Sequence, residues 1–174
     1  MGHLDAVFRM ALQLARNEAD ATDLVQETYL RALRASDRFE ERAGGVRAWL
    51  FRILHNVFFS EVERTRRRPI AMEGAGERDP DPGAAPDEAQ PAWDLASLNW
   101  EHVDERIKGA IGRLRPEFRE VLLLWAVEGL KYREISEIVE VPIGTVMSRL
   151  HRARATLAGD LREFREERRL PDGS

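Results

Sequence analysis

The middle of this chain cannot contribute to a compact hydrophobic core, and it divides the sequence into two short pieces. The stretch from Pro69 to Pro91 holds five prolines and three glycines, and between Ile70 and Glu101 eight acidic residues stand against one arginine. A segment of this composition buries too little apolar surface to offset the conformational entropy that it would lose on ordering. We therefore expect a flexible acidic linker between two folded domains. A first domain, the linker, a second domain and a tail are predicted at residues 1–68, 69–100, 101–165 and 166–174.

Apolar residues in both outer pieces recur at the spacing of α-helices, and no stretch alternates long enough to indicate a strand. The inward faces predicted for the first piece are Leu4, Val7, Phe8, Ala11, Leu12 and Ala15, then Val25, Tyr29, Ala32 and Leu33, then Leu50, Ile53, Leu54, Val57 and Phe58. Those predicted for the second piece are Val103, Ile107, Ala110, Ile111 and Leu114, then Phe118, Val121, Leu122 and Trp125, then Tyr132, Ile135, Ser136 and Val139, then Val146, Leu150, Ala153 and Leu157. Asp20 is the predicted N-cap of the second helix, and Gly44 with Gly45 marks a turn. The predicted fold class is all-α, with two small helical domains.

Composition argues against several classes of function. No apolar stretch approaches the roughly 18–20 residues that span a bilayer, and no basic-then-apolar segment opens the sequence. We therefore expect a cytoplasmic protein without membrane insertion. The absence of cysteine removes disulfides, thiolate catalysis and sulfur-ligated zinc. The histidines are scattered and no P-loop motif is present, so we expect no metal, no cofactor and no enzymatic activity.

The strongest local pattern is a helix-turn-helix near the end of the second piece. A short helix at 132–139, a tight turn at 140–142 and a longer helix at 143–157 have the dimensions of this motif. Opposite the apolar face of the last helix lie Thr145, Ser148, Arg149 and Arg152. A short polar and cationic face suits the major groove, and residues 143–156 contain no acid. The alternative is an ordinary amphipathic helix with a solvated basic face, although exposed helices usually intersperse both signs of charge.

Two polar stripes in the first piece are candidate binding surfaces. The second helix carries one of them at Asp23, Gln26, Glu27 and Leu30. Carboxylates and an amide beside a leucine suit a partner that bears cations, or they form a solvated acidic flank. The third helix carries the other stripe at Trp49, Arg52, Asn56, Ser60 and Glu63. An aromatic ring, a cation and an amide in a row suit single-stranded nucleic acid, unless the tryptophan covers the core and the asparagine serves the helix end.

Three segments of the chain resemble one family. Segment 114–157, which contains PIGTVMSRLHRAR, resembles the −35-binding domain of extracytoplasmic-function sigma factors of the sigma-70 family. DATDLVQETYLRALR at 20–34 resembles the helix with which these proteins dock on core RNA polymerase. AWLFRILHNVFFSEVERTRRR at 48–68 resembles their −10 melting and recognition helix. Unrelated motifs in the correct order are far more specific together than any of them alone.

The resemblance implies a role for each site. Recognition of the −35 element falls to Thr145, Met147, Ser148, Arg149, His151 and Arg152. Recognition of the −10 element falls to Trp49, Arg52, Asn56, Ser60, Arg64, Arg66, Arg67 and Arg68. Asn56 stands where the family captures a flipped base. Contact with the clamp coiled coil of the largest polymerase subunit falls to Asp23, Gln26, Glu27 and Leu30.

The chain departs from the family pattern at a few positions. Lys131 stands where a serine or threonine usually caps the first helix of the motif, which implies a weaker cap. Met147 stands where a basic residue is common, which implies an altered phosphate contact. Ser60 and Glu63 replace an aspartate and an arginine, which leaves the preferred −10 sequence open.

The function implied by the resemblance is that of a non-catalytic subunit that directs core RNA polymerase to promoter DNA. A role in a stress response and control by an anti-sigma factor are also expected. The residues alone leave three other classes open: a regulator that binds DNA by itself, a helical hydrolase and a sequestering interaction module. The first needs a dimer interface or ligand pocket, the second needs clustered catalytic residues, and the cationic helix disfavours the third.

Overall fold

The fold is all-α, as predicted. The computed structural model describes residues 2–40, 44–66 and 105–167, and these ranges contain no strand. Their helices are α1 His3–Ala15, α2 Glu18–Ala35, α3 Gly45–Arg66, α4 Glu105–Arg113, α5 Pro116–Ala126, α6 Tyr132–Val139 and α7 Ile143–Glu167. A 3-10 turn, Ser36–Arg38, follows α2. The predicted linker, the predicted inward-facing Val103 and the end of the predicted tail lie outside the described residues.

A tight turn at Arg16 and Asn17 joins α1 to α2. Arg16 adopts the left-handed conformation (φ 65°), and its N–H donates to the carbonyl of Leu12 at 2.9 Å. Asn17 is the N-cap of α2, because its Oδ1 accepts from the N–H of Asp20 at 2.8 Å. The prediction that Asp20 is the N-cap is therefore wrong. Asp20 lies in the first turn, where its carboxylate accepts from the Asn17 amide at 2.6 Å and faces the positive end of the helix dipole.

The buried face of α2 is rotated from the predicted one. Its buried residues are Ala21, Leu24, Val25, Thr28 and Ala32. Thr28 can be fully buried because its hydroxyl donates to the carbonyl of Leu24 at 2.7 Å. Leu33, which the pattern places inward, is 71% exposed. The spacing of apolar residues does not reveal this face, because the polar Thr28 lies at its centre.

The turn predicted before α3 is confirmed, since Gly44 (φ 88°) and Gly45 (φ 60°) both adopt left-handed conformations that favour glycine. The buried residues of α3 are Ala48, Leu50, Phe51, Leu54, Val57 and Phe58. Ile53, predicted inward, is half-buried, and Phe51, absent from the prediction, is 1% exposed. The core side of α3 thus lies slightly to one side of the predicted face.

Helix α5 is the centre of the second half of the chain. Pro116 occupies its first turn, as predicted. Every residue from Phe118 to Ala126 is buried, including Arg119 and Glu120. Helices α1, α6 and α7 all contact α5, so little of its surface remains for water. The sequence indicated one apolar face only, because a local pattern cannot show that a helix from the other half of the chain covers the opposite side.

The two halves of the chain pack against each other. We call α1–α3 (residues 3–66) the first lobe and α4–α7 (residues 105–167) the second lobe. Contact runs through α1 on α5 and α3 on α6, and buried residues of both lobes form one cluster. Among the described helices, none combines the length and the apolar character that a membrane span requires.

Candidate nucleic-acid interface

The helix-turn-helix forms, and its turn lies between Val139 and Ile143, as the sequence indicates. Helix α6 ends at Val139, and Glu140 then adopts the left-handed conformation (φ 52°). The hydroxyl of Ser136 donates to the carbonyl of Val141 at 2.6 Å. At the start of α7, the carbonyl of Pro142 accepts from the N–H groups at 145 and 146. These local bonds satisfy main-chain groups at both helix ends, so the direction in which α7 leaves the turn is well determined.

Lys131 stands at the N-cap position of α6. Its side chain has no acceptor, so it cannot bond to the free N–H groups of the first turn. Glu134 supplies the other half of a capping box, since its Oε2 accepts from the N–H of Lys131 at 2.8 Å. Glu134 therefore replaces part of the missing side-chain cap of α6. That the cap of α6 is weaker than a serine or threonine cap stays a prediction.

Helix α7 separates a buried face from a polar one. Val146, Leu150 and Ala153 are buried, and Leu157 is half-buried. The opposite arc carries the residues implied for −35 recognition, namely Thr145, Met147, Ser148, Arg149, His151 and Arg152. His151 is exposed and the other five are half-buried. All six therefore lie outside the buried face of α7, and Thr145, Ser148, Arg149 and Arg152 share one side of the helix. The first turn of α7 contains no acid.

Two arginines of α7 lie over aromatic rings of α5. The guanidinium of Arg152 is 5.9 Å from the ring centre of Phe118, and that of Arg154 is 5.6 Å from the ring of Trp125. Contacts of this kind orient a guanidinium before any ligand binds. Arg154 is not among the residues predicted for recognition. Its membership of the same acid-free run is the signal that points to it.

The candidate stripe on α3 is partly covered. Trp49 is half-buried, with its ring centre 4.9 Å from that of Phe39, and Arg52 is also half-buried. Asn56 and Ser60 are exposed, and the hydroxyl of Ser60 donates to the main-chain carbonyl of Asn56 at 2.6 Å. An exposed amide can present a donor and an acceptor to a base edge.

The basic run that follows this stripe is described only in part. Arg64 is exposed near the end of α3. The side chain of Arg66, together with Arg67 and Arg68, lies outside the described residues. Their contact with phosphates stays a prediction.

A cleft separates the start of α3 from α6. Its walls are Arg38, Trp49 and Arg52 from the first lobe and Glu134, Glu137 and Ile138 from the second. A methyl group in place of the Gly44 hydrogen would put its carbon 3.1 Å from Oε1 of Glu134, so the two lobes approach closely here. Two carboxylates of α6 therefore line the same cleft as Arg52, which is predicted to meet DNA.

The stripe on α2 faces solvent. Asp23 and Gln26 are exposed, Glu27 is half-buried, and Leu30 is 48% exposed. Glu27 accepts from Nε of Arg31 at 2.6 Å, so its carboxylate already has a cation on its own helix. Leu33 lies one turn beyond Leu30 and is more exposed still. Residue spacing did not identify it, because the apolar pattern of α2 placed Leu33 on the inward face.

A buried arginine joins the lobes. Arg119 donates to the carbonyls of Gly112 at 2.9 Å and Leu114 at 3.2 Å in its own lobe. Its other terminal nitrogen donates to the carbonyl of Leu14 in the first lobe at 2.9 Å. Burial lowers the pKa of Arg119, and the neighbouring Arg16 lowers it further. Arg119 is absent from the predicted sites, although a charge within the apolar pattern of α5 is a visible signal.

Two buried glutamates of the second lobe also pair with residues of the first lobe. Oε2 of Glu120 lies 2.9 Å from Nδ1 of His55. The carboxylate of Glu128 lies 2.9 Å from Nη2 of Arg47 and 3.8 Å from Nη2 of Arg9. Burial raises the pKa of Glu128, against the opposing effect of both arginines. These residues too were absent from the predicted sites.

Both halves of the chain match models of known protein families. Residues 1–68 match the family model of sigma-70 region 2, and residues 104–157 match that of sigma-70 region 4. The ECF RNA polymerase sigma factor SigE of Mycolicibacterium smegmatis is 36% identical over 95% of this chain, which spans 61% of that protein's length. The ECF RNA polymerase sigma factor EcfG of Rhodopseudomonas palustris is 35% identical over 85% of this chain and 75% of its own length.

A solved structure is similar as well. It is the sigma factor RpoE from Bartonella quintana in complex with the anti-sigma factor NepR, with a TM-score of 0.65, 29% identity and 92% of each chain covered. The similarity therefore extends across both lobes. Two family segments in the order region 2 then region 4, on an all-α fold, lead to one conclusion: the chain belongs to the extracytoplasmic-function group of the sigma-70 family.

Proposed function

We propose that this chain is a promoter-specificity subunit of RNA polymerase, which reads duplex DNA with α7 and a separated strand with α3. The observation that supports it most is the order of a region 2 segment and a region 4 segment, each with its own candidate nucleic-acid face. In this proposal the polymerase supplies catalysis, and the chain supplies the choice of start site.

Helix α7 is proposed to enter the major groove at the −35 element. Arg149 and Arg152 can each bond to O6 and N7 of a guanine, and Ser148 can reach a phosphate or a base edge. Met147 offers apolar contact with a thymine methyl group. The acid-free N-terminus of α7 favours a phosphate through its free N–H groups and the helix dipole.

The α3 stripe is proposed to hold the −10 strand after the duplex opens. Opening costs about 1.4 kcal/mol of stacking per base step. A base stacked near Trp49 and a flipped base bonded to the amide of Asn56 would offset that cost. Arg64 and the run at 66–68 would then neutralise phosphates beyond the captured bases.

The exposed stripe of α2 is proposed to dock on the clamp coiled coil of the largest polymerase subunit. Asp23, Gln26 and Glu27 suit a cationic partner helix. Leu30 and Leu33 supply apolar area in the middle of the contact, where interfaces are depleted of charge. This extends the predicted surface by one leucine.

Control by an anti-sigma factor is proposed on the likeness to RpoE, which was solved in complex with the anti-sigma factor NepR. A chain with the same two lobes offers a similar surface to such a partner. We propose that release from this partner during a stress response makes the chain available to polymerase in the cytoplasm.

Transcription in vitro tests the proposed function. Purified chain is added to core polymerase that lacks a specificity subunit, on a library of promoter fragments, with core alone as the control. We expect transcripts from a subset of promoters that share −35 and −10 elements. Failure of the chain to associate with core polymerase would contradict the proposal.

A regulator that binds DNA by itself is the competing function. Gel shift of the selected promoters with the chain alone, with core alone and with both separates the two. We expect a stable complex only when both are present, whereas specific binding by the chain alone would favour the regulator.

A further inference from the structure

Phe118 of α5 lies against the recognition helix α7. Its ring centre is 5.9 Å from the guanidinium carbon of Arg152 and 5.1 Å from that of Arg115. The faces of an aromatic ring are negative, so they attract a guanidinium that lies over them. Arg152, one of the residues implied for −35 recognition, therefore rests on a ring that belongs to another helix.

The main chain that carries this ring is held in place on both sides. Pro116 occupies the first turn of α5, and the N–H of Phe118 donates to the carbonyl of Arg115 at 3.0 Å. The next residue, Arg119, is buried and donates to the carbonyl of Gly112 at 2.9 Å. Phe118 itself is only 9% exposed, and a packed core leaves such a ring few orientations. The ring is therefore a fixed support for a flexible side chain.

The second cation beside the ring is balanced by an acid. Nη2 of Arg115 pairs with Oε1 of Glu117, one turn or less from the ring along the chain. Two unbalanced guanidinium groups near one ring would repel each other. Because Glu117 neutralises Arg115, the ring can attract Arg152 without strong opposition from its neighbour.

Arg152 needs such a support if it is to read a base. An arginine side chain has many rotamers, whereas bonding to O6 and N7 of a guanine requires one plane and one direction of the guanidinium. Ordering the side chain before DNA arrives lowers the entropy that binding costs. Arg152 is half-buried, so its stem packs on α5 while part of the side chain remains accessible.

A contact of the same kind on α7 points elsewhere and offers a comparison. The guanidinium carbon of Arg154 is 5.6 Å from the ring centre of Trp125. Arg152 and Arg154 are two positions apart, which corresponds to about 200° around an α-helix. Only Arg152 lies on the side of α7 that Thr145 also occupies. The two rings therefore hold arginines on different sides of the recognition helix.

We propose that Phe118 is a positioning residue for DNA recognition, because its ring holds Arg152 in the direction from which it meets one base pair of the −35 element. The inference rests on the proposed function, since it takes α7 as the helix that reads this element. Phe118 itself does not touch DNA and acts only through Arg152.

The contact is tested first in the free chain, without polymerase or DNA. The Nε–Hε resonance of Arg152 in a proton–nitrogen NMR spectrum is shifted by ring current when a ring lies over the guanidinium, and Arg152→Ala identifies this resonance. We expect the shift in the wild type and in Phe118→Tyr, which keeps the ring. We expect its loss in Phe118→Leu, which keeps the site apolar. The same resonance position in the wild type and Phe118→Leu would overturn the proposal.

The reading of DNA is tested by competition between −35 sequence variants for holoenzyme. The base pair at which Arg152→Ala loses its preference is the one that Arg152 reads. We expect Phe118→Leu to relax the preference at the same base pair by about two- to fivefold, as loss of one cation–π contact predicts. Phe118→Tyr should keep the wild-type preference. In the Arg152→Ala background, Phe118→Leu should relax it no further, because the two residues act as one unit.

Trp125→Leu is the matched control for lost packing, since it also removes a ring of α5 that lies under an arginine. Its preference at the base pair read by Arg152 should equal that of the wild type. Equal relaxation in Trp125→Leu and Phe118→Leu would reduce Phe118 to a packing role and overturn the proposal. Circular dichroism checks the helices of each variant. If Phe118→Leu loses its helices, Phe118→Met, which is also apolar and lacks a ring, carries the same expectations.

Failure of the positioning role differs from failure of the proposed function. In the first case the wild-type holoenzyme selects −35 sequences and folded Phe118→Leu selects them equally well. In the second case the wild-type holoenzyme selects no −35 sequence at all, whatever the NMR spectrum of the free chain shows.

Discussion

Two surface side chains carry most of the proposed reading of DNA. Asn56 lies on the outer side of α3, and Arg149 lies on the polar arc of α7. Both could be named from residue type and helical spacing. A side chain on the outer surface is placed mainly by its own helix, so a local pattern is enough to locate it.

Replacement of Asn56 by alanine should reduce open-complex formation without affecting the docking of the chain on core polymerase. We expect a decrease of about tenfold or more, since each 1.4 kcal/mol of lost base capture corresponds to a factor of about ten. Permanganate footprinting of the −10 region and a core-binding assay measure the two effects. Glu61→Ala, on an exposed position of the same helix, is the control. Normal promoter opening by Asn56→Ala would remove this residue from the −10 site.

Replacement of Arg149 by alanine should weaken holoenzyme binding at the −35 element by about 1–3 kcal/mol and relax the preference at one base pair. The measurement is competition between −35 sequence variants at several salt concentrations. Thr156→Ala, exposed beyond the recognition arc, should behave as the wild type. Arg149 would instead contact a phosphate if its replacement weakened binding equally at all −35 sequences. The slope of log affinity against log salt concentration would then be smaller by about one.

At the scale of single helices, α2 shows how burial and exposure combine to form a docking surface. Its buried face includes Thr28, whose hydroxyl is satisfied by the helix itself, and this rotation leaves Leu30 and Leu33 toward solvent. The acidic stripe could be read from the sequence. The added leucine could not, because its exposure depends on which face of α2 the other helices cover.

Replacement of Leu33 by aspartate should weaken binding to core polymerase by about tenfold, as expected for an apolar residue in the middle of a protein interface. The free energy of unfolding should barely change, because Leu33 is 71% exposed. Leu4→Asp is the matched control, since Leu4 is also an exposed leucine, 55% accessible, but lies on α1. Surface plasmon resonance and urea unfolding give the two quantities. Equal loss of affinity in both variants would argue against a specific role for Leu33.

At the scale of the whole molecule, two lobes that the sequence suggests as separate domains share one buried cluster and a layer of charges. Glu120 and His55 are 65 positions apart in the chain and 2.9 Å apart in space. The packing of the lobes also makes the stability of the chain depend on pH, because burial raises the pKa of Glu128.

Glu128 provides the test. Burial raises its pKa in the folded chain, so the folded chain binds this proton more tightly than the unfolded chain does. The stabilising contribution is therefore complete below the ordinary carboxyl pKa of 4.5 and is lost as the pH rises through the higher folded value. We expect the free energy of unfolding to fall over this interval in the wild type.

The variant Glu128→Gln cannot ionise, so it should show a smaller decline over the same interval. Urea unfolding at a series of pH values measures it, with Glu105→Gln, at an exposed carboxylate, as the control. If the free energy of unfolding of Glu128→Gln depended on pH as that of the wild type does, the raised pKa of Glu128 would be contradicted.

The sequence by itself determined the helical class, the turn of the helix-turn-helix and the polar faces of α3 and α7. These features depend on caps, glycines and periodicity, which act between residues a few positions apart. Only the tertiary structure decided that α5 is buried on every side from Phe118 to Ala126, and that Arg119, Glu120 and Glu128 find partners in the first lobe. The physical reason is that the burial of a charge depends on which distant surface removes it from water, and no local spacing of residues specifies that surface.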